Sequence, residues 1–348
     1  MLPQKSEKFD VKLKITQFIA VLAFAFVLLL GGSDTSNNTA LGGAQSVNSS
    51  INRFNLIAVG DWGCNPNTIN TVKNIVAKNP DLVLGLGDYS YNTSADCWLK
   101  IVDSLDQKMK IAIADHDAIS SSLLSQYMKH FNLTQQYYSF NYQNIHFTVL
   151  SEEVPIEPGS EQYKFINGDL AAAASNSSID WTIVILHEPM YTSPYKQWDG
   201  MDESLIEAYQ PVFDKYKVDL VLSGDIHNYQ RSYPLKYDPL RYYDSLNPSN
   251  PMTTAPVITT TEKNNYTHPT GQIYITAGTG GAPLQTSLRG QSMFIAFQDA
   301  TTHGILDIEI IDNGQRLVGT FYANDDWVIK DRFSIDKRTD IPSTNVSA

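Results

Sequence analysis

Short apolar runs alternate with helically spaced stretches over most of this chain. Phe54 to Val59 is a run of strand length that stops at Gly60-Asp61, and Thr68 to Lys78 places Ile69, Val72, Ile75 and Val76 at helical intervals. Leu82 to Leu86 is a second buried-strand pattern, stopping at Gly87-Asp88, and Lys110 to Ala114 is a third, stopping at Asp115-His116-Asp117. A helix is predicted from Ser120 to His130. Tyr137 to Tyr142 and His146 to Leu150 alternate as a hairpin about Gln143-Asn144. A helix over Glu161 to Ala174 leads to a strand, Trp181 to Leu186, that ends at His187. Helical spacing over Leu205 to Tyr216 then leads to Val218 to Ser223, which ends at Gly224-Asp225-Ile226-His227. Strands alternating with helices define an α/β class.

The pattern changes after Tyr233. Residues 233 to 270 are rich in Pro, Tyr, Asn and Thr with no period, which predicts a long excursion. Gln272 to Ala277, Met293 to Phe297, Gly304 to Ile311 and Arg316 to Tyr322 then read as strands with no helix between them, an antiparallel layer against the first sheet.

The N-terminus has its own pattern. Lys5, Lys8, Lys12 and Lys14 precede an unbroken apolar run from Ile15 to Leu30. This length suits either a cleaved signal or a retained anchor, and the leading lysines place the rest of the chain outside the cytoplasm. The expected organisation is a basic cytoplasmic segment (1–14), a signal peptide or membrane anchor (15–32), a polar linker (33–52), a folded domain (53–335) and a tail (336–348). The expectation is a secreted or cell-surface protein, with a membrane contact only if the segment is uncleaved. Sequons at Asn37, Asn48, Asn92, Asn132, Asn176, Asn265 and Asn345 are compatible with a glycoprotein. Cys64 and Cys97, the two cysteines, lie just beyond neighbouring strand ends; an oxidising compartment permits a disulfide, with two free thiols as the alternative. The net charge of −12, without a Lys/Arg-rich run, disfavours a nucleic-acid polymer as partner.

The chemistry lies at the strand ends. Asp61, Asp88 with Tyr91, Asp115 with His116, His187, and Asp225 with His227 close five successive strands. In open α/β sheets these C-terminal ends form the ligand crevice. Four carboxylates gathered there would repel one another unless cations neutralised them.

The blocks Gly60-Asp61-Trp62-Gly63, Gly87-Asp88-Tyr89-Ser90-Tyr91, Ala114-Asp115-His116-Asp117, Val184-Ile185-Leu186-His187 and Gly224-Asp225-Ile226-His227 resemble, in order and spacing, those of the calcineurin-like metallophosphoesterase superfamily, and within it the purple acid phosphatases. The resemblance implies a four-layer sandwich of two mixed β-sheets flanked by helices, and a two-metal phosphoesterase acting on a phosphate ester. It implies that Asp61, Asp88, Tyr91 and His227 hold Fe³⁺, and that Asp88, Asp115, His187 and Asp225 hold a second divalent ion, Fe²⁺, Mn²⁺, Mg²⁺ or Zn²⁺. His116 would position or protonate the phosphate ester, with Asp117 orienting its ring. Two positions depart from the family pattern: Asp115 stands where the family has Asn, and Asp225 where it has His. Both changes put a hard anion in place of a neutral ligand.

The expected activity is therefore hydrolysis of phosphate monoesters outside the cytoplasm. A phosphodiesterase or nucleotidase on the same scaffold is one alternative. A catalytically impaired metal-binding surface glycoprotein is another. Glu188 and Tyr191-Thr192-Ser193 are candidates for the substrate side, and His130, His146, His268 and His303 for surface or packing roles.

Overall fold

The computed structural model describes residues 53–194, 201–239 and 256–339. The N-terminal basic segment, the apolar run, the linker, the sequons at Asn37, Asn48 and Asn345, and the tail beyond 339 lie outside the described residues. Among those described, no helix is long and apolar enough to cross a membrane, and the sequons Asn92, Asn132, Asn176 and Asn265 are all exposed.

Among the described residues sixteen strands fall mainly into two seven-stranded sheets. In chain order they are β1 (Phe54–Val59), β2 (Leu82–Gly85), β3 (Met109–Ile111), β4 (Tyr138–Tyr142), β5 (Ile145–Val149), β6 (Trp181–Ile185), β7 (Leu220–Ser223), β8 (Tyr229–Ser232), β9 (Leu235–Lys236), β10 (Val257–Ile258), β11 (Asn265–Thr267), β12 (Ile273–Ala277), β13 (Ile295–Asp299), β14 (Gly304–Ile311), β15 (Arg316–Ala323) and β16 (Ile329–Asp336). One sheet runs β11-β16-β15-β14-β1-β2-β3, the other β13-β8-β12-β7-β6-β5-β4, and β9 pairs with β10 alone. The helices are α1 (Pro66–Lys78), α2 (Asp96–Val102), α3 (Asp115–Ala118), α4 (Ser121–His130), α5 (Glu161–Ala174) and α6 (Glu203–Tyr216).

The unbroken apolar runs are explained by burial on both faces. Leu56, Ala58, Leu82 and Leu84 face a central core shared with Ile183, Ile185, Leu220 and Leu222 of the other sheet. Their alternates Ile57, Val59 and Val83 turn outward under Val72 of α1, Trp98 of α2 and Leu123 of α4. On the opposite side Val184 and Val221 pack beneath Ile166 of α5 and Tyr209 and Phe213 of α6. The layers are thus helix, sheet, sheet, helix, and parallel strands covered on both faces cannot alternate in polarity.

Local chemistry ends the elements where the pattern changes. Asn65 caps α1 by accepting from the amides of Asn67 and Thr68, with Pro66 in the first turn, and Asn79 closes it in the left-handed region at φ 48°. Ser120, Ser160 and Asp202 cap α4, α5 and α6 in the same way.

The C-terminal strands do not form a layer of their own. β14 pairs antiparallel with β1 and extends the first sheet, whereas β12 pairs parallel with β7 and extends the second. In the first sheet the parallel strands β1, β2 and β3 form one edge beside an antiparallel run, whereas in the second the parallel strands β12, β7, β6 and β5 lie at the centre with antiparallel strands on both sides. The excursion 233–270 contains β9, β10 and β11, and after β15 the chain forms one further strand, β16, which ends at Asp336.

Candidate metal centre

The parallel strands β1, β2, β3 of one sheet and β5, β6, β7 of the other end at the same edge of the sandwich, and backbone bonds join them there. Asp61, Trp62 and Gly63 donate to the carbonyls of Gly87, Asp88 and Tyr89, and Gly60 donates to Ala277. The ring Nδ1–H of His187, after β6, donates to the carbonyl of Leu86, after β2, at 2.8 Å and so spans the two sheets.

Four of the predicted ligands adopt a backbone conformation that non-glycine residues rarely take: φ is 59° at Asp61, 57° at Asp88, 52° at Tyr91 and 65° at Asp225. Such strain costs about 1–3 kcal/mol per residue and persists where surrounding structure overrules it. It turns each side chain off its strand end toward the common centre. The glycines ahead leave room for this: a Cβ at Gly87 would stand 2.4 Å from His187 Nδ1, and one at Gly224 would stand 2.7 Å from Asp61 Oδ2.

In the first half of the site, Tyr91 Oη lies 3.2 Å from Asp61 Oδ1 and 2.9 Å from His227 Nε2, and the latter two are 3.2 Å apart. Donor atoms sharing one ion at bond lengths near 2.1 Å stand roughly 3–3.5 Å from each other. This triangle has those dimensions. In the second half His187 Nε2 lies 3.5 Å from Asp88 Oδ1 and 3.9 Å from Asp115 Oδ1. Two sets of three donor atoms lie mutually within 4.8 Å, Asp61 with Asp88 and His187, and Asp88 with Asp115 and His116. Asp88 belongs to both. His227, which joins the Asp61–Tyr91 triangle, and Asp225 belong to neither, although Asp225 stands close enough to exchange charge effects with His187, Asp61 and Asp115.

Both histidines turn Nε2 toward the centre. His187 donates through Nδ1 to Leu86 and His227 through Nδ1 to the carbonyl of Pro283 at 2.8 Å, which orients each ring and leaves Nε2 as the atom an ion would meet. Asp61 Oδ2, Asp88 Oδ1 and His187 Nε2 are buried with no hydrogen-bond partner. Orphaned polar atoms of this kind are costly unless a cation completes them. The donor set, carboxylates with two imidazoles and a phenol, fits a pair of metal ions.

The electrostatics of the bare protein reflect the same crowding. Burial pushes the Asp88 carboxyl up to about 6, with His187 opposing and Asp61 adding to the shift. For His187 burial acts downward, but Asp88, Asp61 and Asp225 outweigh it and raise the imidazole to about 10. Burial, then the Asp61 and Asp88 charges, drives the Tyr91 phenol upward, which keeps it protonated without a cation beside it.

Two expectations are corrected. Asp117 does not orient the His116 ring: it is buried, and its carboxylate accepts from the backbone amides of Asp88, Tyr89 and Ala114 at 3.0 to 3.2 Å, clamping the loop that carries Asp88. Burial and the Asp88 charge push its pKa up to about 8. Tyr191, Thr192 and Ser193 do not line an open substrate side, being at most 4% exposed. His130 and His146 pair with Asp106 and Asp169, in keeping with the surface or packing roles expected of them. One contributor escaped the sequence reading. Glu152, just beyond β5, accepts from the amides of His187 and Glu188 and so fixes the His187 loop. The signal was available, since Ser151-Glu152-Glu153 ends an apolar run just as the other strand ends do.

Residues 54–229 match the calcineurin-like phosphoesterase family, half of the chain, and the protein belongs to that family. Its relatives narrow the resemblance to the purple acid phosphatases. Purple acid phosphatase 15 of Arabidopsis thaliana is 27% identical over 53% of this chain and 42% of its own length. A probable inactive purple acid phosphatase 1 from the same plant is 31% identical over 59% of this chain and 31% of its own. The chain thus spans less than half of either relative. Among solved structures, a purple acid phosphatase from yellow lupin seeds superposes with a TM-score of 0.67 at 22% identity, covering 85% of this chain and 57% of that one. GAP50, described as the anchor in the inner membrane complex of Plasmodium, superposes at 0.60 with 13% identity over 82% of this chain and 89% of its own. At these identities the structures speak for the fold alone.

Proposed function

We propose that this protein is an extracytoplasmic two-metal phosphoesterase that hydrolyses phosphate monoesters. The observation that carries the reading is the set of buried, partnerless polar atoms on Asp61, Asp88 and His187, converging beside the Asp61–Tyr91–His227 triangle. When bound, a metal pair supplies Lewis acidity toward phosphoryl oxygens and acidifies water. The chain's own part is positioning. Asp88 stands between the halves, held by the Asp117 clamp. His187 and His227 present Nε2 because their Nδ1 protons are committed to carbonyls. Tyr91 supplies a phenol that, opposite ferric iron, would give a visible charge-transfer band. Asp115 and His116 are exposed and mark the side from which an ester would approach.

A catalytically impaired, metal-binding surface protein is the second reading. What favours it is the anionic pair Asp115 and Asp225, which would weaken an ion's Lewis acidity and repel a phosphate dianion.

Metal analysis of the purified full chain, with turnover of aryl phosphate monoesters and diesters under Mn²⁺, Mg²⁺, iron and Zn²⁺, separates these readings. The expected result is two ions per chain, preference for the monoester, and with iron a visible band that Tyr91→Phe abolishes. Bound metal without turnover would select the second reading, and a chain that binds no metal would overturn both.

A further inference from the structure

We infer that His116 is a ligand of the second ion, taking the place of the imidazole lost at Asp225. The inference rests on the two-metal reading above and changes the role that the family resemblance implies for this histidine.

Three observations support it. A donor nitrogen of His116 lies within 4.8 Å of donor oxygens of both Asp88 and Asp115, whereas Asp225 is in neither compact donor set. Asp88 Oδ1, one of the oxygens at this half of the site, is buried and has no partner, on a residue only 2% exposed. The ring of His116 packs against that of Tyr91 with centroids 4.7 Å apart, so its direction is restricted although the residue is exposed.

The substitution at position 115 makes the arrangement intelligible. Asp115 opens α3, and its Oδ1 accepts the amide of His116 at 2.7 Å while standing 3.9 Å from His187 Nε2. The same carboxylate has a ring nitrogen of His116 within 4.8 Å and so stands between the two imidazoles. With Asp88, the resulting set is two carboxylates and two imidazoles, a mixed donor set that accommodates Zn²⁺, Fe²⁺ or Mn²⁺ rather than the hard, oxygen-only set of a Ca²⁺ or Mg²⁺ site. With Asp225 outside it, that residue is left as a charge beside the ion.

Equilibrium dialysis of the full chain against Mn²⁺ or Zn²⁺, with metal content measured for wild type, His116→Gln and Asp225→Asn, tests the assignment. Two ions are expected in wild type. His116→Gln should keep the first and bind the second on the order of tenfold or more weakly. Asp225→Asn should keep both with less than about a threefold change. Because His116 is exposed, the Gln variant should melt within a few degrees of wild type, which separates lost ligation from lost folding. Unchanged affinity for the second ion in His116→Gln overturns the inference, as does loss of that ion in Asp225→Asn alone. A wild-type chain that binds no ion overturns the two-metal reading first, and this inference with it.

Discussion

Asp117 shows how a single residue can be read correctly as important and wrongly as to its work. Its place two positions after Asp115 suggested a partner for the neighbouring ring, but α3 turns its side chain inward, where three backbone amides meet it. Sequence spacing gave its neighbourhood and not its direction, because four residues of helix are enough to reverse which side faces the cleft. Replacing Asp117 by Ala would strand the amides of Asp88, Tyr89 and Ala114 in the interior. A loss of at least about 2 kcal/mol is expected in urea unfolding, together with weaker metal uptake as the Asp88 loop loosens. A change below about 0.5 kcal/mol would remove the clamp from the account. By contrast the convergence of Asp61, Asp88, Tyr91, His187 and His227 was legible, because each lies at or just beyond a strand end, and a strand end leaves few directions for the next side chain. Asp225 also stands just past its strand at positive φ, yet it falls outside the compact donor sets.

At the scale of elements, the parallel strands β1 to β3 and β5 to β7 were readable from their apolar runs, and the later strands were found without their assignment to a sheet. Pairing of β12 with β7 and of β14 with β1 is a long-range choice that no local period records. β16 was missed because charged Lys330, Asp331 and Arg332 interrupt it, although Asp331 faces inward to pair with the buried Arg231. A half-buried carboxylate ties the β4–β5 hairpin to α5: Asp169 accepts from Ser139 Oγ at 2.6 Å, Thr148 Oγ1 at 2.7 Å and His146 at 2.9 Å. Burial acts to raise the pKa of Asp169, but the bonds from His146, Ser139 and Thr148 outweigh it, and the net shift is downward. A carboxylate depressed in the folded state contributes stability that is present above the unfolded value near 4 and is lost as pH falls through the folded pKa. Asp169→Asn should therefore cost roughly 1–3 kcal/mol at pH 7. The gap to wild type should narrow in unfolding measured below about pH 4. A gap that is constant with pH would mean the charge is irrelevant there.

At the scale of the whole molecule, the disulfide between Cys64 and Cys97 joins the loop after β1 to the start of α2, with Cα atoms 6.0 Å apart. The sequence left free thiols open because pairing depends on how far two loops are brought together, which only the closed sheet decides. A loop of 33 residues implies a stabilisation of about 3–4 kcal/mol from the restricted unfolded chain. Cys64→Ser with Cys97→Ser is expected to lower the thermal midpoint by several degrees and to leave metal stoichiometry at two, since neither sulfur is a ligand. Loss of metal in that variant would tie the bridge to the site instead. The bond from His187 to the carbonyl of Leu86 carries a different consequence. It crosses the seam between the two halves of the sandwich at the point where an ion would bind, so ion binding acts as a rivet through both layers. Pulling the metals should soften the protein first along that seam, letting the sheets breathe apart while each stays internally intact. A change deep between the layers, far from any ligand, should in turn be felt as a change in grip on the ions.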